Sequence, residues 1–183
     1  VNAALGRRPV VAVLGSGSEA HEELAGPVGV LVARTGAHLL TGGGGGVMAA
    51  VARAFVGVRD REGLSIGIIP AAEGDMRRDV ARDGYPNAWV EVPVRTHLSQ
   101  SGTAGTSPGS RNPIIVLTAT AVVALPGGGG TASEMVLALR YRRPLIAFAG
   151  AEERWPGLPA EVARTAELEE VAAFLRAVVG PLR

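Results

Sequence analysis

Three stretches of the chain place groups suited to anion binding or acid–base chemistry at turns. Gly15-Ser16-Gly17 ends an apolar run, five consecutive glycines from Gly42 lead into Val47-Met48, and Pro126 with four glycines leads into Thr131-Ala132-Ser133-Glu134. Glycine bares the main chain, and the amides that open a helix carry partial positive charge, so a phosphate can approach such a turn closely. Gly15 and Gly17 suit a tight turn equally well. Runs of five and four exceed what a turn needs, because each glycine costs about 0.5–1 kcal/mol relative to alanine in a regular element. Gly43, Gly44, Gly45 and Gly46 with Met48, and Gly127, Gly128, Gly129 and Gly130 with Thr131, are therefore candidate phosphate- or nucleotide-binding positions, joined by Gly15, Ser16 and Gly17.

Two roles are open to Glu134. Thr131 and Glu134 have the spacing of a capping box, in which each side chain satisfies a main-chain amide at the start of a helix. A carboxylate at that point also faces a ligand crevice, where it can contact ribose hydroxyls or act as a general acid or base. Asn112-Pro113 reads as a helix start with Asn112 as N-cap and Pro113 in the first turn. Arg111 just before it is a candidate for bidentate contact with phosphate, or an exposed arginine at a helix start.

These turns need an alternating strand and helix framework to converge. Apolar runs at Pro9–Leu14, His38–Thr41, Ser65–Ile69, Ala88–Val92, Ala121–Leu125 and Leu145–Phe148 read as strands, and amphipathic stretches lie between them. One helix would bury Leu24, Val28, Leu31, Val32 and Thr35, another Val47, Val51 and Phe55, and another would run from Thr131 to about Tyr141. The last would present Leu168, Val171, Ala172, Leu175, Val178 and Val179, stopped by Gly180-Pro181. The pattern predicts an α/β chain: one Rossmann-like, doubly wound parallel sheet of about six strands with helices on both faces, a single domain over residues 1–183. In such sheets ligands collect outside the carboxyl ends of the strands. The Ser-, Thr- and Gly-rich segment 93–110 is long enough to cover a ligand or to be disordered. His97 lies within it and is the one histidine worth testing; His38 reads as a core or edge residue, and Met48, Trp89 and Phe148 as packing residues, Met48 being also a candidate binding position.

Composition removes several chemistries. All 18 basic residues are arginine, so neither a pyridoxal phosphate Schiff base nor a P-loop lysine is available. The chain has no cysteine, which excludes disulfides and thiolate metal sites; no metal site is expected. The formal net charge of +1 is spread along the sequence, leaving no footprint for nucleic acid or a membrane surface. With no signal-peptide core and no run of about 20 apolar residues, the protein is expected to be cytoplasmic. Gly15-Ser16-Gly17 lacks the third glycine of a dinucleotide fingerprint, and Leu39-Leu40-Thr41 brings no acidic residue for a ribose, which argues against NAD and FAD.

Gly42-Gly43-Gly44-Gly45-Gly46-Val47-Met48 resembles a GGGxxGxM motif, and Pro126-Gly127-Gly128-Gly129-Gly130-Thr131-Ala132-Ser133-Glu134 matches PGGxGTxxE throughout. Together they resemble the LONELY GUY (LOG) and molybdenum-cofactor carrier group, over roughly Val10 to Ala149. Members of the group have been labelled lysine decarboxylases, a pyridoxal phosphate chemistry that a chain without lysine cannot perform. The LOG branch implies a phosphoribohydrolase that cleaves the N-glycosidic bond of a nucleoside 5′-monophosphate without a cofactor, releasing base and ribose 5-phosphate. On that resemblance the glycines from 127 to 130 and Thr131 hold phosphate. Glu134 and Arg111 are then catalytic: the carboxylate stabilises oxocarbenium character and positions water, and the arginine orients phosphate or ribose.

The LOG branch has an Arg-Lys pair where this chain has Arg111-Asn112, an arrangement that looks closer to the molybdenum-cofactor carriers. Those bind, without turnover, a phosphate-bearing pterin that the same crevice could accept; Asn112 joins the binding candidates on either reading. The hydrolase is the first expectation and the carrier the alternative. A DNA-processing-type relative that binds single strands ranks last, because only 4% of residues are aromatic and bases would have little to stack on. A homodimer or higher homo-oligomer is expected from the resemblance; the apolar helix face around Val136 and Leu139 is either its seam or, equally well, part of the monomer core.

Overall fold

The structure is a computed structural model that describes residues 7–73, 81–149, 155 and 157–181. Among these residues seven parallel strands form one sheet: β1 (Val10–Leu14), β2 (His38–Thr41), β3 (Ser65–Ile69), β4 (Val92–Arg95), β5 (Ala121–Ala124), β6 (Leu145–Phe148) and β7 (Ala163–Thr165). Their order is β4-β3-β2-β1-β5-β6-β7, so the winding reverses between β1 and β5. There Val11 is in register with Ala121 and Leu14 with Ala124. Among the described residues five α-helices cover the sheet: α1 (Glu22–Arg34), α2 (Val47–Val56), α3 (Asn112–Thr118), α4 (Gly129–Arg140) and α5 (Leu168–Val179), with a short 3-10 helix at Gly102–Ala104. The architecture is the Rossmann-like α/β fold that the sequence predicts.

Strand periodicity divides the core. Val11, Val13, Leu39, Val123, Ile146 and Phe148 point to one face, where they meet Val28 and Val32 of α1, Val51 and Phe55 of α2, and Val171 and Leu175 of α5. Their neighbours Ala12, Leu14, Leu40, Val122 and Ala147 point to the other, against Ile115 and Val116 of α3 and Met135 and Leu137 of α4. Alternate residues of a strand face opposite ways, so strands covered on both sides are apolar throughout. That is why β2, β3 and β6 begin and end where the apolar runs do.

Four local expectations are corrected. The fourth strand is Val92–Arg95 rather than Ala88–Val92, and all four of its residues are exposed at the sheet edge. A seventh strand, β7, adds to the six that the apolar runs mark; it spans three residues, two of them exposed. Helix α4 starts at Gly129 with Gly128 as its N-cap and no side-chain capping bond, so Thr131 and Glu134 form no capping box. Asn112 is the first residue of α3 rather than its N-cap; Arg111 holds the cap position, again without a side-chain bond. His38 lies at the start of β2, where its Nδ1 accepts a bond of 3.0 Å from the Leu64 amide. Burial, aided by the charge of Arg8, lowers its pKa.

Candidate functional site

At the reversal point two turns interlock. The Ser16 amide donates to the Pro126 carbonyl (3.0 Å), and the Ser16 carbonyl accepts from the Val47 amide (2.9 Å) at the head of α2. Ser16 Oγ accepts from the amides of Ser18 (3.2 Å) and Glu19 (3.0 Å), which fixes the curl of the turn after β1. A side chain on Gly127 would collide with Thr131 Oγ1 and start 2.8 Å from the Ser16 nitrogen. The glycine therefore lets the threonine hydroxyl and the first turn lie against each other. Ser133 Oγ donates to the carbonyls of Gly129 (2.8 Å) and Gly102 (2.9 Å), tying the first turn of α4 to the 3-10 helix.

Between these turns lies a cavity of about 330 Å³. The turn after β1 contributes Gly15, Ser16, Gly17 and Ser18 to its lining, the turn and first helical residues after β5 Gly128, Gly130, Thr131 and Glu134, and α2 and the start of α3 Met48, Arg111 and Asn112. Arg82, Tyr85, Ser101 and Gly102 complete the wall. Gly127, Gly129 and Gly43 to Gly46 are not among the lining residues. Gly42, Gly43, Gly44 and Gly46 make room for neighbouring protein atoms, while Gly45 is exposed. Gly44 leaves room for the ring of Tyr85, whose ζ carbon would stand 2.6 Å from a side chain there. Gly43 and Gly46 adopt positive φ (76° and 58°), a region that costs other residues roughly 1–2 kcal/mol. The carbonyls are taken as well: Gly42 accepts from Arg111 Nη1, Gly43 from the Asn87 amide (2.8 Å) and Gly44 from Asn87 Nδ2 (2.8 Å).

Arg111 is 6% exposed. Its Nη1 donates to the Gly42 and Ile68 carbonyls, which joins the ends of β2 and β3. The guanidinium lies over the Tyr85 ring, 5.4 Å from the centroid, within cation–π range. Its Nε is buried with no hydrogen-bond partner among the described residues. Burial lowers the pKa of Arg111, and the nearby charge of Arg82 adds to this while Tyr85 and Glu134 oppose it. Glu134, partly buried on α4, is pushed up to about 7 by burial, against the pull of the Arg111 charge. A carboxyl poised near neutrality beside a fixed cation can hold a proton, donate a hydrogen bond or take a proton up.

The sequence reading anticipates ten of these lining residues, all from the glycine turns, Met48, Arg111-Asn112 and α4. It misses Ser18, Arg82, Tyr85, Ser101 and Gly102. Four of those come from segment 81–102, which has no motif; the Ala71–Ala81 bridge, the bond from the Asn87 amide to the Gly43 carbonyl and the pairing of β4 with β3 hold it beside the site. His97 is exposed and not among the lining residues. Among the described residues, no cluster of His, Asp or Glu is placed to hold a metal ion, and no helix is long and apolar enough to cross a membrane.

An uncharacterized protein from Archaeoglobus fulgidus is 32% identical over 133 residues, 71% of this chain and 73% of that one. A molybdenum cofactor binding protein from Rippkaea orientalis superposes with a TM-score of 0.71 at 27% identity, covering 95% of this chain and 99% of that one. The molybdenum cofactor carrier protein of Chlamydomonas reinhardtii shares the fold, with a TM-score of 0.71 at 24% identity over 96% and 100% of the two chains. The family model described as the SLOG cluster4 family, LDcluster4, matches residues 8–175, nearly the whole sequence. The chain therefore belongs to the SLOG cluster 4 family.

Proposed function

We propose that this protein binds a phosphate-bearing heterocycle at the β1/β5 reversal and holds it without turnover, as a molybdenum-cofactor carrier. The observation that carries this reading is the charge balance of the cavity: the amino end of α4 and two arginines, Arg82 and Arg111, face one carboxylate that burial keeps largely protonated below about pH 7. A positive surplus at a helix start suits a phosphate group. Tyr85 and Met48 offer flat and flexible apolar surface for a ring. The likeness to the Rippkaea orientalis protein over almost the full length of both chains supports a pterin as that ring.

The geometry favours holding over cleaving. Arg111 is committed to two main-chain carbonyls, and Glu134 is the one carboxylate among the described lining residues. Glycoside cleavage commonly divides its work between two. The test is to load the purified protein with molybdenum cofactor and measure binding and protection from oxidation. Micromolar or tighter binding with the cofactor recovered intact is expected; absence of both binding and protection overturns the reading.

One observation favours a second reading, the nucleoside 5′-monophosphate phosphoribohydrolase. A carboxyl near pH 7 is matched to general acid–base work at neutral pH, and Glu134 sits beside a cation and a phosphate-sized turn. Under this reading AMP releases adenine, and Glu134→Ala abolishes the release in a protein that stays folded. No base from any common monophosphate removes it.

A further inference from the structure

The two arginines of the cavity are held in different ways. Arg111 is buried, and its guanidinium is bonded to the carbonyls that end β2 and β3. Arg82 also lines the cavity, with its side chain 26% exposed. Its Nη1 donates to Ser101 Oγ (2.9 Å), and its Nη2 to the Ser99 carbonyl (2.8 Å) and to Glu73 Oε1 (2.5 Å). These bonds steer the guanidinium to Ser101, which precedes Gly102. The Cα and nitrogen of Gly102 lie 3.8 and 3.9 Å from where a side chain on Gly130 would begin, so the Arg82 tether ends against the first turn of α4. Arg82, Ser101, Gly102, Gly130 and Thr131 thus face one volume.

Charge gives this arrangement a direction. Arg82 and Arg111 bring two positive charges to one cavity; burial is what chiefly lowers the pKa of Arg111, and the charge of Arg82 adds to it. The acidic partner of Arg82, Glu73, has 75% of its side chain exposed, and a pair that open to water neutralises little. An anion in this cavity, beside the first turn of α4, offsets both charges.

We propose that Arg82 is the cation that grips the phosphate of the ligand beside the first turn of α4, with Ser99 and Ser101 setting its fork and Arg111 acting as a positioning residue. This rests on the reading of the cavity as a phosphate site and adds the residue that supplies its charge.

Calorimetric titration of the parent protein and of Arg82→Gln with AMP and with inorganic phosphate, at low and high salt, tests it. The variant is expected to bind both about 10- to 100-fold more weakly, the loss of one charge-assisted hydrogen-bonding group. Its binding should also depend less steeply on salt. Affinity within threefold of the parent overturns the assignment, and so does weaker binding with unchanged salt dependence, which marks Arg82 as a strut for the wall. If the parent binds neither AMP nor phosphate, the phosphate reading itself fails, before any variant is compared.

A second measurement needs no variant. Arg82 in the parent protein is expected to react with phenylglyoxal, read by peptide mass, and phosphate should slow that reaction at least fivefold. Modification of Arg82 that phosphate leaves unchanged also overturns the assignment.

Discussion

A side chain on Gly42 would begin 2.7 Å from both terminal nitrogens of Arg111. The glycine exists at that point so that a guanidinium can lie flat on the main chain, bridging the carbonyls of Gly42 and Ile68. The arginine cannot swing aside without leaving two buried acceptors empty, so the contact is rigid although the side chain is long.

Gly42→Ala is therefore expected to destabilise the protein by about 1–3 kcal/mol, the usual cost of overpacking. Gly45→Ala serves as the comparison: the nearest atom to its new methyl is the Gly17 carbonyl oxygen at 3.2 Å. Its cost should stay below about 1 kcal/mol. Urea denaturation of both variants measures the difference, and equal costs would remove the special role of Gly42.

Arg111→Met removes the donor to both carbonyls and the charge that holds Glu134 down. We expect a loss of about 2–4 kcal/mol from the unpaired buried acceptors. A rise of the Glu134 pKa above its present value of about 7 is expected with it. Carboxyl chemical shifts followed against pH check the second outcome; an unchanged midpoint would show that Arg111 does not act on Glu134.

The raised pKa of Glu134 also sets a sign for stability against pH. The unfolded chain ionises this group near its ordinary value of 4.5, while the folded protein keeps its proton up to about 7. Between those values the folded state binds more protons, so this residue's contribution is fully present below pH 4.5 and falls as pH rises through 7. Glu134→Gln should lose that slope, worth about 1–3 kcal/mol across the window. Thermal denaturation of parent and variant from pH 4.5 to 8 measures it, and parallel curves would contradict the shift.

Val136 on α4 and Ile114 and Leu117 on α3 are 40, 37 and 48% exposed, on two helices that pack side by side. We expect this apolar surface to be a seam between copies of the chain. Val136→Glu should weaken self-association at least tenfold by sedimentation equilibrium while leaving the melting temperature of the dilute protein nearly unchanged. A parent protein that sediments as a monomer at millimolar concentration would dismiss the seam. Leu139, by contrast, packs against the core and would not substitute for Val136.

The sequence by itself determined the framework. Buried parallel strands must be apolar on both faces, so β2, β3 and β6 could be delimited to the residue, and the glycine turns after β1, β2 and β5 located the strand ends where ligands collect. Edge elements carry no such mark. Val92–Arg95 is exposed throughout and includes Pro93, and two of the three residues of β7 are exposed, so neither leaves an apolar pattern to read. Spacing also misled where one pattern serves two purposes: Thr131 and Glu134 have capping-box spacing, yet α4 begins two residues earlier, which leaves Glu134 facing the cavity.

Only the tertiary structure decided what each glycine is for and which charges share the site. Local sequence cannot tell a glycine that exposes its amide to a ligand from one that makes room for a neighbour. The neighbours of Gly42 and Gly44 are Arg111 and Tyr85, brought from 69 and 41 positions away. Arg82 reaches the cavity by the same means: the Ala71–Ala81 bridge, a bond from its amide to the Pro70 carbonyl and a tether to Ser101 carry it there, and long-range packing of that kind writes no motif into the chain.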